Sequence, residues 1–307
     1  MKLPDMPMGA ASYGATNHNS KVYISAFGRD GNGKIVSPVL VYSTNEHKWS
    51  TLPEQQRGAA IAVLNNHVTL IGGRDVSTGK VTNTLSTWYE EEGQWKQVLP
   101  PMPTGRFHPA VICHANLLLV TGGAAEDESF LNTTDVLDLT TMKWTTPEGL
   151  NLPVPLWTHH LALCGEYLYL VGGMTVYSVQ SPKDNYSQVW RAKWSDVKQT
   201  AAPQHFQPQR SMWTRIADPP TLSPTPVSCG GALYTVGGRT RDGKSISTAV
   251  YTYITARNQW VSVGDISVGR FWHCAVPLSS NTIFIAGGNV VNEGKWAYSL
   301  STELLLL

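Results

Sequence analysis

The feature that most limits what this chain can fold into is an apolar run ending in two glycines, which stands at five places along it. The copies read Val68-Thr69-Leu70-Ile71-Gly72-Gly73, Leu118-Leu119-Val120-Thr121-Gly122-Gly123, Tyr169-Leu170-Val171-Gly172-Gly173, Tyr234-Thr235-Val236-Gly237-Gly238 and Phe284-Ile285-Ala286-Gly287-Gly288. A weaker sixth copy, Val22-Tyr23-Ile24-Ser25-Ala26-Phe27-Gly28, opens the series. From last glycine to last glycine the intervals are 45, 50, 50, 65 and 50 residues. A unit of that size cannot bury its apolar face alone, so copies stack and share one core. The 307 residues would otherwise suggest about two domains of roughly 150 residues each. The repeat overrides that expectation and predicts one domain over residues 1–307.

Each unit follows one local grammar. Proline and small residues lead into a strand A, as in Pro101-Met102-Pro103-Thr104-Gly105-Arg106-Phe107-His108 before Ala110–Cys113. A tight turn such as Asn65-Asn66 or Gly165-Glu166 follows, where Asn and Gly tolerate positive φ. Strand B then runs into the double glycine, which lets the chain leave the sheet where the next unit comes close. Strand C carries an aromatic or apolar residue seven positions before a tryptophan on strand D: Tyr42 and Trp49, Trp88 and Trp95, Leu137 and Trp144, Tyr253 and Trp260. The tryptophan is read as a wedge between adjacent sheets. The units span about 9–52, 56–99, 104–146, 154–217, 222–263 and 270–307.

Two units depart from the pattern. The fourth is long; Trp213 is taken as its strand-D tryptophan, which makes Lys193–Ser211 an enlarged C–D loop of mobile, surface-exposed composition. The sixth has no such tryptophan; seven residues on from Tyr298, taken as its strand-C aromatic, comes Leu305, so the Leu304–Leu307 tail is expected as the outer strand that closes the ring, the alternative being closure by sequence upstream of residue 1. Leu3-Pro4-Asp5-Met6-Pro7 resembles Leu99-Pro100-Pro101-Met102-Pro103, which follows a strand D.

The repeats Met102-Pro103-Thr104-Gly105-Arg106, Gly122-Gly123 and Trp144, with their copies, resemble kelch motifs over almost the whole chain. The resemblance implies an all-β fold, a six-bladed kelch β-propeller with four antiparallel strands per blade. The chain is also similar to kelch modules of multidomain invertebrate signalling proteins and of BTB–kelch ubiquitin-ligase adaptors. In such adaptors one loop face takes peptides, often with acidic groups. The first repeat departs from the motif, with Phe27-Gly28 in place of the glycine pair.

Strand direction sorts the loops. D–A and B–C connections share one face; A–B and C–D connections share the other. On the first face lie Arg57, Arg106 and Arg270 from D–A connections and Arg29, Arg74, Arg239 and Arg241 from B–C connections, seven of the eleven arginines. Phe107, His108, Trp157, Phe271 and Trp272 stand beside them. Arginine suits bidentate capture of carboxylates, and arginine with exposed aromatics is the composition of an interface hot spot. The basic sector is expected to run from blade 6 to blade 3. The competing reading is structural: these arginines satisfy backbone carbonyls and the adjacent Asp30 and Asp75.

Composition narrows the function. A net charge of +1 with 15% charged residues leaves no excess for a polyanion, which argues against nucleic acid. Cys113, Cys164, Cys229 and Cys274 form no CxxC pair and read as small buried hydrophobes in a reducing, cytoplasmic compartment. No apolar run approaches the ~20 residues that span a membrane. His108, His159 or His160, and His273 recur near the start of strand A, where capping or packing outweighs metal ligation. With no HExxH, P-loop or nucleophile elbow, no cofactor, metal or catalytic residue is assigned. The expected function is non-catalytic binding of a protein or peptide partner, with acidic character, by a monomeric propeller within a larger chain. The alternatives are a propeller enzyme acting on a glycan or small molecule, and a structural spacer.

Overall fold

Alternating apolar residues on each strand bury two faces at once, because every sheet is sandwiched between neighbours. A computed structural model describes residues 1–175, 188–201, 211–292 and 294–307. It contains six four-stranded antiparallel blades. Strands A of blades 1 to 6 are Ala10–His18, Ala60–Leu64, Ala110–His114, His160–Cys164, Thr225–Cys229 and Cys274–Ser279. Each touches the strand A of the blades on either side, and blade 6 touches blade 1, so the six ring a central channel. Strand B follows each through a tight turn. Asn19-Ser20, Asn65-Asn66, Ala115-Asn116 and Gly230-Gly231 are left-handed pairs there, the geometry that matches strand twist in a two-residue hairpin.

The aromatic spacing read from the sequence is cross-strand register. Tyr42 faces Trp49, Trp88 faces Trp95, Leu137 faces Trp144 and Tyr253 faces Trp260. Each tryptophan also reaches the preceding blade. The indoles of Trp49, Trp95, Trp144 and Trp260 donate to the carbonyls of Pro4, Pro53, Pro100 and Ala217 at 3.0, 2.9, 2.9 and 2.7 Å.

The double glycine is the second joint between blades. The amides of Gly73, Gly123, Gly238 and Gly288 donate to the carbonyls of Arg106, Leu156, Arg270 and Ala10 of the following blade, each at 2.8 Å. The glycine before each lies against the same carbonyl: a Cβ on Gly122 would stand 2.5 Å from Leu156 O and 2.5 Å from the His159 ring.

Three expectations change. The C-terminal tail is the third strand of blade 6, not the outer one: Thr302–Leu306 pairs with Thr282–Ala286 on one side and with Lys2–Leu3 on the other. The chain's first residues therefore supply strand D of its last blade, and Trp49 bonds to Pro4 immediately after it. The segment around Tyr298, read as strand C, is instead a separate hairpin, Asn289–Asn292 with Lys295–Tyr298, in the B–C connection of blade 6. In blade 4 the enlarged C–D connection begins with a helix, Trp194–Ala201, that buries Trp194, Val197 and Ala201, so this part is packed rather than loose. Residues 202–210 lie outside the described residues. Trp213 is buried and directly precedes the strand D Thr214–Arg215, as its spacing predicted.

Cys229 and Cys274 are buried and Cys113 and Cys164 half-buried, all as free thiols. Among the described residues, no helix is long and apolar enough to cross a membrane.

Candidate interaction face at the channel mouth

Where each D–A connection enters strand A, the chain makes the same contacts in successive blades. Arg106 is completely buried; it donates to the Gly122 and Thr133 carbonyls at 2.9 and 3.1 Å and to Asp135, itself fully buried, at 2.6 Å. Arg270 repeats this with Gly287 O at 3.0 Å, Ser301 O at 3.1 Å and Glu303 at 3.1 Å. Both arginines fasten strand B to strand C beneath the surface. Neither offers its guanidinium to a partner, and the binding expectation does not extend to them.

Arg57 does not share their place. Gln56 does, since its amide donates to Gly72 O at 2.8 Å and to the Thr84 hydroxyl at 2.9 Å. Arg57 sits one residue on, where Phe107, Trp157, Leu222 and Phe271 bridge to their own B–C connections. Its side chain is partly exposed and 3.0 Å from Glu54.

The B–C arginines keep their heads at the surface while stapling their own loops. Arg29, Arg74 and Arg239 donate to the carbonyls of Gly33, Gly79 and Gly243 at 2.7, 3.3 and 2.9 Å. Arg241 is exposed and reaches Pro219 O at 2.6 Å. Asp30 and Asp75 accept from amides of their own turns instead of pairing with the preceding arginine. Loop arginines reachable from solvent thus come from blades 5, 1 and 2. Blade 3 carries the exposed acids Glu126, Asp127 and Glu128, with Glu126 3.7 Å from Arg74. The sector from blade 6 to blade 3 is displaced, because the arginines that defined its ends are Arg270 and Arg106.

One residue after the bridging position, the backbone turns left-handed in five blades: Gly58, His108, Thr158, Ser223 and Trp272, with φ of 63, 53, 53, 48 and 53°. Positive φ is unfavourable for the four that bear a Cβ, and such strain collects where side chains are aimed at a site. His108, Thr158 and Trp272 line a cavity of about 340 Å³ at the channel mouth, together with Tyr13, Phe27, Trp157 and Tyr298. The rings touch in sequence: Tyr13 is 4.1 Å from His108 and 5.6 Å from Phe27, His108 is 5.3 Å from Trp157, and Phe27 is 6.1 Å from Tyr298. Phe130 stacks behind Trp157 at 5.6 Å. Arg74 lies 4.2 Å over the Phe107 ring, and Arg239 lies 5.8 Å over Phe271 and over Trp296. Below the mouth a second cavity of about 280 Å³ continues between the strands A.

The histidines here are neutral. Burial, with Arg74 nearby, holds His108 down to about 3. Burial and the neighbouring His160 and Arg106 hold His159 down to about 3, and burial alone takes His160 to about 4. His159 bonds through Nε2 to the Thr121 hydroxyl at 2.8 Å and packs on Gly122 of the previous blade. His273 occupies the same place against Gly237. These two pack a joint between blades, as their recurrence suggested. Burial likewise raises the Tyr13 hydroxyl far above the usual phenol range. Among the described residues, no three His, Cys, Asp or Glu side chains gather as metal ligands.

The linkage has a definite sign. Unfolded, His159 takes a proton near 6.5; folded, only near 3. Between those values the unfolded state holds more protons, so stability falls as pH drops through 6.5 and keeps falling toward 3. His159 alone should lower stability by about 2 kcal/mol from pH 7 to pH 5, above the carboxylate range, and His273 adds in the same direction. Denaturant unfolding at the two pH values checks this; equal stabilities would contradict it.

Tyr13, Phe27, Tyr298 and Trp296 were not singled out as site residues in the sequence. Phe27 carried a signal, as the residue that breaks the first glycine pair. Tyr298 was misplaced with its strand.

The comparisons with known proteins agree with this architecture. Residues 58–217 match the family described as the KLHDC2/KLHL20/DRC7 Kelch-repeats domain. Alpha-scruin of Limulus polyphemus is 27% identical over 184 residues, 57% of this chain and 20% of that protein. Kelch-like protein 38 of Homo sapiens is 23% identical over 266 residues, 85% of this chain and 41% of that protein. This chain thus spans less than half of either relative. The solved structure of YjhT aligns with a TM-score of 0.73 at 17% identity, covering 99% of this chain and 97% of that one, a likeness of fold.

Proposed function

Because the chain belongs to the KLHDC2/KLHL20/DRC7 kelch-repeat family, we propose that it is a non-catalytic interaction module whose D–A/B–C face takes a peptide or partner surface. The observation that carries this reading is the ring of aromatic side chains at the channel mouth, with Arg29, Arg57, Arg74 and Arg239 around it. Aromatic walls release water on contact with an apolar group, and the surrounding arginines set register by fixing carboxylates. The partner segment is acidic on this reading. Catalysis on a glycan or small molecule finds less support, since among the described residues the side chains lining the mouth include three histidines held neutral and no carboxylate. A spacer would not need a mouth of this size and composition.

The test compares proteins retained from a lysate by the wild-type chain and by a variant with Arg29, Arg57 and Arg74 changed to Ala. None of these three is buried, so the variant should melt within a few degrees of wild type. Proteins held by the wild type should be lost by the variant. Equal retention by both folded forms would count against this face.

A further inference from the structure

Blade 6 departs from blades 1, 2, 3 and 5 in its B–C connection, which rises as the hairpin Asn289–Asn292 and Lys295–Tyr298. Tyr298 and Trp296 are two residues apart on one strand, so their side chains share a face. Tyr298 lines the mouth. Trp296 is 58% exposed, as is its cross-strand neighbour Val291 at 51%. Trp296 meets Phe271 edge-on at 5.5 Å, and Phe271 meets Trp272 at 5.1 Å, which brings the contact back to the mouth. Arg239 lies over both Phe271 and Trp296. An apolar strip therefore leaves the mouth along the hairpin, with a cation beside it. Blade 6 stands between blades 5 and 1, whose loops carry Arg239, Arg241 and Arg29; the exposed acids Glu126, Asp127 and Glu128 sit across the ring on blade 3.

Resting on the interaction reading above, we propose that the face takes an acidic peptide segment at two apolar points. One uncharged aromatic or large aliphatic side chain enters the mouth. A second rests on Trp296 and Val291, and a carboxylate near it meets Arg239. Charge complementarity sets the occupant: among the described residues the mouth has no carboxylate to balance a cation, the adjoining loops of blades 5 and 1 carry Arg239, Arg241, Lys244, Arg29 and Lys34 against Asp242 and Asp30, and a basic segment would be drawn toward blade 3 instead. The strip also sets direction, since Trp296 and Val291 are the most exposed large apolar side chains on the described B–C connections and adjoin the mouth through Tyr298 and Phe271.

Random heptapeptides displayed on phage and selected on the full chain test this, with affinities of the enriched peptides measured by fluorescence polarisation. Enriched peptides should contain two uncharged aromatic or large aliphatic residues and at least one Asp or Glu. Trp272→Ala should weaken them at least tenfold, and so should Trp296→Ser, whose exposure makes the change harmless to folding. Circular dichroism and melting confirm that both variants fold. Peptides weakened by Trp272→Ala but indifferent to Trp296→Ser would overturn the two-point proposal and leave the interaction reading standing. Enriched basic peptides would overturn it as well. Peptides indifferent to both substitutions, or no enrichment, would overturn both.

Discussion

Arg106→Met should destabilise the protein by about 3–5 kcal/mol, while the double variant Arg106→Met/Asp135→Val should recover most of that loss. Both members of the pair are fully buried and 2.6 Å apart. Removing the guanidinium leaves the Asp135 carboxylate in a dry site where, among the described residues, the Thr146 hydroxyl at 2.7 Å is the side chain still donating to it. Burial already pulls the Arg106 pKa down, so it is desolvation that the pair must offset. The other blades show what else fits this joint. At the corresponding places stand Gln56 with Ser86, Leu156 with Trp190, Ala10 with Leu40, and Arg270 with Glu303. An apolar pair is thus one that the same fold already accommodates in blades 1 and 4. Denaturant unfolding of the two single variants and the double gives the coupling energy. If the double variant were as unstable as Arg106→Met, the ion pair itself would be needed and the reading of an interchangeable joint would fail.

Gly122→Ala should cost about 2–5 kcal/mol, from two sources that a second glycine separates. Gly122 has φ of 55°, and its Cβ would meet both the Leu156 carbonyl and the His159 ring at 2.5 Å. The left-handed backbone accounts for about 1–2 kcal/mol and overpacking a rigid joint for about 1–3 kcal/mol. Gly93 has a similar φ of 64° but open space where its Cβ would be. Gly93→Ala should therefore lose only the backbone part. Melting curves of both variants make the comparison. Equal losses would mean that the glycine pairs answer to backbone conformation alone and not to the approach of the next blade.

These two sites mark how far the sequence could be read. The double glycines were legible because their cause repeats: the same carbonyl of the following blade closes on Gly72, Gly122, Gly237 and Gly287. The tryptophan spacing was legible for a similar reason, as seven residues carry the chain from a strand-C position round a tight turn to its cross-strand partner. Arg57 and Arg106 looked alike because both precede a strand A by a few residues. A shift of one residue puts Gln56 in the buried place and Arg57 at the surface, and it became visible only through hydrogen bonds to Gly72 and Thr84.

The sequence by itself determined the number of blades and, outside the sixth, their strand order and the C–D register of the tryptophans, because period-two alternation and a repeat of about 50 residues are local properties. Tertiary structure decided which arginines are surface groups, since Arg106 is buried by an acid 29 residues away and Arg270 by one 33 residues away. It also decided ring closure, in which Lys2–Leu3 pairs with a strand 300 residues on, Lys2 facing Glu303 and Leu3 facing Thr302. The composition of the mouth belongs with these. Tyr13, Phe27, His108, Trp157, Trp272 and Tyr298 come from blades 1, 3, 4 and 6 and meet only when the strands A close into a ring.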